Sequence, residues 1–507
     1  MAKHKIEPPY YPIVYVRGYA MTASERADVF HDAYYGFAAT SVETREAPPP
    51  KYREIDIFEG QLVRFLKLGL HGYTDAFNRG LEDCVGNPSR SIWVSRFYDE
   101  DHLTNNIRDI DKHAAELQHL ICETIPARFK ECGVSTAGYK VILLAHSMGG
   151  LVCRKLIQTM LEGDPKRWIH RFVTMGSPHG GIELGAIPDI LEAATAAWVN
   201  PWNSGIFSEP KMREYLKLDA KKKNSKEHLY DVHSLAETFP VKRCLCVIGS
   251  DYKSYSAVQH ATGAFSDGLV KQNRAYVVGG KAPAKGSEYP CEQKPFWANV
   301  HRAHSGRRGI VNSYETFENI HRFLFGDTMA EISLENMAFL EQDDDVSGFY
   351  DIEFLLSVRG TGVYLHRREQ DPCENAIRLD AKKLPEDQYL HTLFLNSNLR
   401  SEDEPYSHFT LTLRVVERLV KEGFLWDREY PARPIYNETI EIRLGDFDRK
   451  RVGTEVQYRW LSDGPEWTDC TPEDGSFRLP LRAAGSFAGE FVVTYRKWPD
   501  PQLTEDR

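Results

Sequence analysis

Residues 139–161 constrain the fold of this chain more than any other stretch. They open with the apolar run Tyr139-Lys140-Val141-Ile142-Leu143, which is typical of a buried strand. The small-residue motif Ala145-His146-Ser147-Met148-Gly149 follows, and after it a helical pattern runs over residues 151–161. The residues spaced as on one face of that helix are Val152, Leu156 and Met160. The sequence therefore predicts a strand, a sharp turn and a helix in direct succession.

A serine at such a turn has the position of a nucleophile. The turn lifts the Ser147 hydroxyl above the sheet and aims the first amides of the helix at the same space. Those N–H groups, at the positive end of the helix, can stabilise an oxyanion. Ala145 takes the first small position of the turn, where its methyl group is small enough. The alternative is a glycine-rich helix start that holds an ordinary serine.

Length and composition limit the class of protein. A chain of 507 residues is too long for one core and predicts two or three domains. The formal net charge of -10 argues against a general affinity for nucleic acid. Nine scattered cysteines without C-x-x-C spacing indicate reduced thiols. The sequence shows no long apolar segment at its start and no run of about 18 apolar residues. We therefore expect a cytoplasmic protein. The alternative is secretion by a route that needs no signal peptide.

Residues 1–328 alternate strand and helix patterns. The predicted strands cover residues 11–19, 91–97, 139–143, 172–175 and 243–248, and a helix carries apolar residues between 103 and 121. This alternation predicts an α/β class domain, a doubly wound parallel sheet with helices on both faces. Residues 182–240 form an insertion whose amphipathic helix, over 187–198, could serve as a lid above the site. A helix packed on the core is the alternative for that segment.

Residues 329–507 change to an almost continuous strand pattern. Polar and apolar residues alternate in several runs, as in half-buried antiparallel strands. The predicted strands are residues 350–358, 408–415, 438–444 and 490–495. We expect an all-β sandwich here, as a separate accessory domain. The acidic residues 342–345 at its entry could bind calcium, but no spaced set of oxygen ligands accompanies them. The sequence therefore predicts neither a metal nor a cofactor.

A nucleophilic serine also needs a base and an acid that orients it. In this fold class the acid and then the histidine follow the serine along the chain. Asp251 directly follows the strand at 243–248, and Asp267 lies in the turn Ser266-Asp267-Gly268. His301 and His304 come later, and His304 precedes a Ser-Gly loop. Both pairs of candidates remain open on these grounds.

Four pieces of the chain together resemble the bacterial lipase branch of the α/β-hydrolases. They are the apolar strand ending at Gly18, the Ser147 motif, Gly176-Ser177-Pro178-His179-Gly180-Gly181, and Asp267-Gly268-Leu269-Val270 followed by His304. The resemblance covers residues 11–325. It implies Ser147 as nucleophile, Asp267 as acid and His304 as base, with the backbone N–H groups of Met148 and Tyr19 as oxyanion donors. Arg17 departs from the pattern, since the family usually has histidine there.

The expected function is hydrolysis of carboxylic esters by a lipase-like or esterase-like enzyme. Phospholipids are the alternative substrate, and a phospholipase could also be an effector delivered by another machine. An alternative of another class is a non-catalytic lipid-binding or interaction protein on the same fold. The expected partners are an ester or lipid substrate and, at the periphery, a lipid surface.

Overall fold

The computed structural model divides the chain into two compact units. The first comprises Met1–Trp297, Arg302–Phe317 and Leu503–Arg507, and the second comprises Ala298–His301 and Glu318–Gln502. The structure describes residues 3–18, 60–67, 71–76, 80–82, 84, 86–95, 110–161, 163–182, 204–223, 225–254, 263–305, 308–339, 346–380, 383–400, 406–421, 428–429, 431–445, 455–482 and 486–500. The predicted helix at 187–198 and the acidic residues 342–345 lie outside these ranges.

A seven-stranded sheet has the order β2-β3-β1-β4-β5-β6-β7, and its strands β1 to β6 lie in the first unit. Its strands are β1 (Ile13–Val16), β2 (Thr74–Asp75), β3 (Ser91–Ser95), β4 (Val141–His146), β5 (Ile169–Met175), β6 (Cys244–Gly249) and β7 (Phe296–Val300). The pairings from β2 through to β6 are parallel. Every residue of β1 and β4 is buried, as expected for central strands covered on both faces.

Six α-helices are described between residues 60 and 325. They are α1 (Gly60–Lys67), α2 (Ile110–His119), α3 (Ile125–Glu131), α4 (Met148–Lys155), α5 (Glu209–Tyr215) and α6 (Tyr314–Phe325). Within the described ranges, no helix has the length and apolar character that a bilayer span requires. None of the cysteines in those ranges forms a disulfide.

The helix after Ser147 differs from its predicted form in the last turn. It begins at Met148 and changes at Leu156–Met160 into a π-helical turn. In a π turn each N–H bonds five residues back, so successive side chains leave the 3.6-residue repeat. Val152 and Leu156 are fully buried as predicted, whereas Met160 is half-buried.

The second unit is a sandwich of two antiparallel sheets. One has the order β10-β9-β13-β15-β16-β17, with β11 paired to β9 and β14 to β13, and the other has the order β12-β8-β19-β18. The strands are β8 (Thr328–Phe339), β9 (Val346–Val358), β10 (Tyr364–Arg368), β11 (Ile377–Asp380), β12 (Asp387–Leu395), β13 (Ser407–Lys421), β14 (Arg428–Glu429), β15 (Arg433–Leu444), β16 (Val456–Trp460), β17 (Thr468–Cys470), β18 (Ser476–Pro480) and β19 (Phe487–Lys497). The predicted fold class, a doubly wound α/β unit and a β-sandwich, is confirmed.

Side chains from both sheets form one core in this sandwich. Phe354 and Leu413 of one sheet and Leu334 and Phe491 of the other belong to the same buried cluster. The opposite face of β9 carries acids instead, and arginines from neighbouring strands pair with them. Asp351, for example, is 1% exposed and bonds to Arg378 and Arg418. Pairing with arginines offsets the free-energy cost of burying a carboxylate on a sheet face.

Candidate active site

Ser147 sits at the turn between β4 and α4, in a backbone conformation that non-glycine residues rarely adopt. Its φ and ψ angles are 52° and −127°. A strained residue of this kind persists only where the surrounding structure holds it in place. The Ser147 N–H donates to the carbonyl of Met175 at 3.1 Å, and the Ser147 carbonyl accepts from the Gly150 N–H at 3.0 Å. The turn is therefore bonded on both sides of the serine.

Two glycines make room for this turn. A Cβ atom on Gly149 would overlap the carbonyl oxygen of Val16, so α4 can start close to β1 only without a side chain there. A Cβ atom on Gly18 would lie 2.6 Å from Nδ1 of His146 and 2.9 Å from Cβ of Ser147. Both distances are shorter than real side chains allow. Gly149 of the sequence motif and Gly18 are thus required by close packing around Ser147.

Three predicted residues meet at this turn. The imidazole Nε2 of His304 lies 2.9 Å from Oγ of Ser147, and its Nδ1 lies 2.8 Å from Oδ2 of Asp267. A carboxylate only accepts, so Nδ1 carries the proton and the neutral Nε2 can accept from the serine hydroxyl. His304 is 3% exposed and Asp267 is 1% exposed. This chain of hydrogen bonds can move a proton from the serine hydroxyl to the imidazole.

Asp267 is itself held by the backbone around it. Its Oδ1 accepts from the N–H groups of Leu269 at 3.0 Å and Val270 at 2.8 Å, and its carbonyl accepts from the His304 N–H at 2.8 Å. Gly176, which follows β5, leaves space for the pair. A Cβ atom there would lie 2.8 Å from Oδ2 of Asp267 and 3.3 Å from Nδ1 of His304. The acid can therefore turn little relative to the imidazole.

The other aspartate and histidine candidates are placed differently. Oδ1 of Asp251 accepts from the Ser254 N–H at 3.1 Å, so Asp251 closes its own turn. His301 is half-buried in the segment Ala298–His301 of the second unit. The imidazole that meets Ser147 is that of His304, and the carboxylate that meets this imidazole is that of Asp267.

Of the two predicted oxyanion donors, Met148 lies within the described residues. Met148 is the first residue of α4 and is 2% exposed, so its N–H group stands at the positive end of the helix beside Ser147. Tyr19 lies outside the described residues. Arg17, the departure from the lipase pattern, is completely buried.

His179 lies in the loop after β5 and has a supporting role in that loop. Its Nε2 is 3.1 Å from Oγ1 of Thr174, and its carbonyl accepts from Nη1 of Arg154 at 2.9 Å. Arg154 also donates to the carbonyls of Val232 and Ser234. Burial holds the pKa of the His179 imidazole well below its usual value, and the nearby Arg154 adds to the effect. The neutral ring therefore fits the role of shaping a turn.

His146 is a further residue of the site, which sequence reasoning did not single out. Its Nε2 lies 3.0 Å from the carbonyl oxygen of His304, and the two rings are tilted at 42° with centroids 4.9 Å apart. Burial lowers the pKa of His146 well below its usual value, with further lowering by His304 and Arg17. The only sequence signal was its place directly before Ser147, because His304 is far along the chain.

The described residues contain no group of three or more His, Cys, Asp or Glu side chains that could hold a metal ion. The chemistry that the arrangement can perform is attack by an activated hydroxyl, supported by a base, an acid and at least one helix-terminal N–H group.

Comparisons with known proteins gave one family match and several solved structures of low similarity. A family model described as palmitoyl protein thioesterase matches residues 71–226, which include the turn at Ser147. A search of curated proteins found no match. Among solved structures, phospholipase PlaB from Legionella pneumophila has 11% sequence identity and a TM-score of 0.36, covering 84% of this chain and 91% of its own.

Two further solved structures match the chain. The lin2722 gene product from Listeria innocua has 13% identity and a TM-score of 0.28, covering 62% of this chain and 93% of its own. The Tle4–Tli4 complex has 15% identity and a TM-score of 0.20, covering 47% and 57%. TM-scores this low carry no information about activity. The parallel sheet and the serine turn have the arrangement of the α/β-hydrolase fold, and the thioesterase family model matches residues 71–226 of the chain that carries them.

Proposed function

We propose that this protein is a serine hydrolase that cleaves carboxylic esters, with lipid esters as the main class of substrate. The observation that carries the proposal is the hydrogen-bonded series Asp267–His304–Ser147 at a strained strand-to-helix turn. Strain and buried polar groups of this kind concentrate at functional sites.

In the proposed mechanism, Oγ of Ser147 attacks the ester carbonyl carbon while Nε2 of His304 takes the hydroxyl proton. The carbonyl oxygen becomes an oxyanion, and the N–H group of Met148 donates to it. The tetrahedral intermediate collapses, the C–O bond to the alcohol breaks, and His304 returns the proton to the departing alcohol. Water then attacks the acyl-enzyme with the same histidine as base, releasing the acid and restoring Ser147.

Asp267 supports both steps without exchanging a proton. Its carboxylate accepts from Nδ1–H of His304, which keeps the free lone pair of the ring on Nε2, opposite Ser147. It also stabilises the imidazolium that forms in each step. Tyr19, which the lipase resemblance implies as second oxyanion donor, completes the proposal.

A thioester is the second candidate substrate, because the matching family model is described as a palmitoyl protein thioesterase. The mechanism would be the same up to the leaving group, which would be a thiol in place of an alcohol. Both substrates present an acyl carbonyl to Ser147. The choice between them therefore depends on the pocket for the leaving group.

A fluorophosphonate probe tests the proposed function without a known substrate. We expect it to label the full-length protein at Ser147, located by mass spectrometry of the digested protein. Folded protein that is not labelled would contradict the serine mechanism and favour a non-catalytic binding protein.

A substrate panel then assigns the class of reaction. It comprises p-nitrophenyl esters of graded chain length, palmitoyl-coenzyme A as thioester, and phosphatidylcholine vesicles. We expect the carboxylic esters to give the highest kcat/KM. A higher kcat/KM for the thioester or for the phospholipid would identify that compound, and not the carboxylic ester, as the preferred substrate.

We also infer that the protein works in a reducing compartment, the cytoplasm. The inference is supported by the scattered positions of the nine cysteines in the sequence and by their spacing. Fractionation of the source cells should recover the protein with cytoplasmic markers. Recovery from the medium would instead favour signal-independent export.

A further inference from the structure

His146 touches each segment that must be aligned around Ser147. It is the last residue of β4 and precedes Ser147 in the chain. Its ring lies against the ring of His304, and its Nδ1 lies where a side chain on Gly18 would have to go. Only 1% of the residue is exposed, so the ring has little freedom to move away.

The hydrogen bond between His146 and His304 has a fixed direction. A backbone carbonyl oxygen can only accept, so Nε2 of His146 carries the proton and donates to the carbonyl of His304 at 3.0 Å. The His304 N–H in turn donates to the Asp267 carbonyl at 2.8 Å. The backbone of His304 is therefore bonded on one side to Asp267 and on the other to the residue before Ser147.

We infer that His146 is a positioning residue, whose Nε2–H group fixes the backbone of His304 so that its ring reaches Oγ of Ser147. The inference rests on the proposed function, since it assigns His146 to the alignment of that nucleophile and base. His146 contacts no reacting atom in this role. It acts through His304, whose Nε2 is 2.9 Å from the serine oxygen.

The charge state of His146 suits this role. Burial is the main cause that holds the pKa of the His146 imidazole well below its usual value, and the nearby His304 and Arg17 side chains add to the lowering. The hydrogen bond to the His304 carbonyl opposes this lowering but does not cancel it. A neutral donor adds no positive charge next to His304, which becomes an imidazolium during each proposed step. A lysine or arginine donor at the same place would oppose that charge.

Substitution of His146 by glutamine or by asparagine separates the effect of losing the hydrogen bond from the effect of losing the ring. The side-chain nitrogen of glutamine can reach the position of Nε2, whereas that of asparagine is one methylene shorter and reaches only the position of Nδ1. His146→Asn is therefore the matched control for His146→Gln, with the same amide chemistry at a different reach. Circular dichroism and thermal unfolding show whether each full-length variant is folded.

The rate of fluorophosphonate labelling of Ser147 is the main measurement, because it needs no substrate. Since misplacing catalytic groups by about 1 Å can cost roughly a hundredfold in rate, we expect His146→Asn to slow labelling about ten- to a hundredfold. His146→Gln should stay within about threefold of the unsubstituted protein. With p-nitrophenyl butyrate, the asparagine variant should lose kcat while KM stays nearly constant, and the pH midpoint of kcat/KM should shift in that variant alone.

Two results would overturn the inference: a folded asparagine variant labelled at the original rate, or a glutamine variant as slow as the asparagine one. If the asparagine variant does not fold, ¹⁵N NMR of the unsubstituted protein still tests the hydrogen bond. We expect the His146 ring as the neutral Nε2–H form, and finding the proton on Nδ1 would contradict the inference. Absence of labelling in the unsubstituted protein would instead contradict the proposed function, so the two failures are distinguishable.

Discussion

Each of the two units buries a pair of neighbouring histidines, His146 with His304 in the first and His366 with His391 in the second. The two pairs differ in the groups that surround the ring nitrogens. In the first unit, His304 has a carboxylate at Nδ1 and a hydroxyl at Nε2. In the second unit, His366 and His391 stack with centroids 4.0 Å apart. Nε2 of His366 and Nδ1 of His391 have no hydrogen-bond partner within the part of the chain that the structure describes. Contact between two imidazoles is thus not a sign of function by itself.

The sheets explain why the surroundings differ. In the first unit Ser147 directly follows β4, Gly176 follows β5, and Asp267 and His304 lie in the loops after β6 and β7. Parallel strands end at one edge, so loops from distant parts of the sequence meet there. In an antiparallel sheet neighbouring strands end at opposite edges. Polar side chains of the second unit pair across strands instead, as Glu353 does with Arg414 at 2.9 Å.

The first test of this comparison is removal of the Ser147 hydroxyl that contacts His304. Ser147→Ala should lower kcat for a soluble ester by several orders of magnitude, as other nucleophile deletions do, because the proposed attacking oxygen is removed. Ser462→Ala is the control, an exposed serine of the second unit that donates to Glu438. More than a few per cent of the original kcat, with contaminating esterase excluded, would remove Ser147 from the mechanism.

The second test removes one carboxylate at a time. Asp267→Asn should lower kcat roughly 10³- to 10⁴-fold, because the amide no longer holds the His304 tautomer. Asp251→Asn removes the same charge from the loop after β6, and the amide oxygen can still accept from the Ser254 N–H. Its kcat should stay close to the original value. A larger loss for Asp251→Asn than for Asp267→Asn would exchange the two assignments.

The histidines of the second unit should affect stability rather than catalysis. Burial lowers the pKa of His391 to about 3, and Arg368 adds to the effect, while burial also holds the pKa of His366 well below its usual value. The unfolded chain takes up protons near pH 6.5, whereas the folded protein does not. Protonation therefore favours unfolding, and the free energy of unfolding should fall as the pH drops below about 6.5.

Replacing one of the two imidazoles should make this pH dependence less steep. His391→Gln should reduce the slope between about pH 6 and pH 4 by up to about 1.4 kcal/mol per pH unit. Denaturant unfolding at several pH values measures this slope. Phe394→Leu, on the same strand, is the control, since it weakens the core equally at every pH. An unchanged slope for His391→Gln would show that this histidine does not stay neutral in the folded protein.

The smallest effect on catalysis is expected from removing the sandwich. A chain ending at Asp327 keeps Ser147, Asp267 and His304, so it should hydrolyse p-nitrophenyl butyrate at a rate close to that of the full chain. Circular dichroism on the same preparation reports whether it is folded. Folded but inactive protein would mean that the second unit shapes the site, and the contrast between the units would then be wrong.

Local patterns in the sequence predicted the parts of the fold that depend on neighbouring residues. The apolar run before Ser147 and the glycine two residues after it were enough to predict β4, the turn and α4. The alternation in residues 408–415 likewise predicted part of β13, although the strand runs over Ser407–Lys421. In both segments the burial of one residue depends mainly on its near neighbours, so periodicity carries the information.

Contacts between distant segments could not be predicted in this way. The π turn at Leu156–Met160 has no signal in the apolar spacing, which favoured a continuous α-helix. The choice between Asp251 and Asp267 could be made only by resemblance to a family, since both follow a buried strand. The bond from His146 to the His304 carbonyl joins residues 158 positions apart, which no local pattern can report.

Gly18, Gly149 and Gly176 have a consequence for how this protein can vary. Each occupies a place where one added carbon would collide with the backbone or with the side chains of the site. We expect a survey of all single substitutions to find these positions about as intolerant as Ser147, Asp267 and His304, although the glycines contribute no functional group. Natural variation or directed evolution of the substrate range must therefore come from other loops. The substitutions that can change specificity are therefore limited by these three glycines as much as by Ser147, Asp267 and His304.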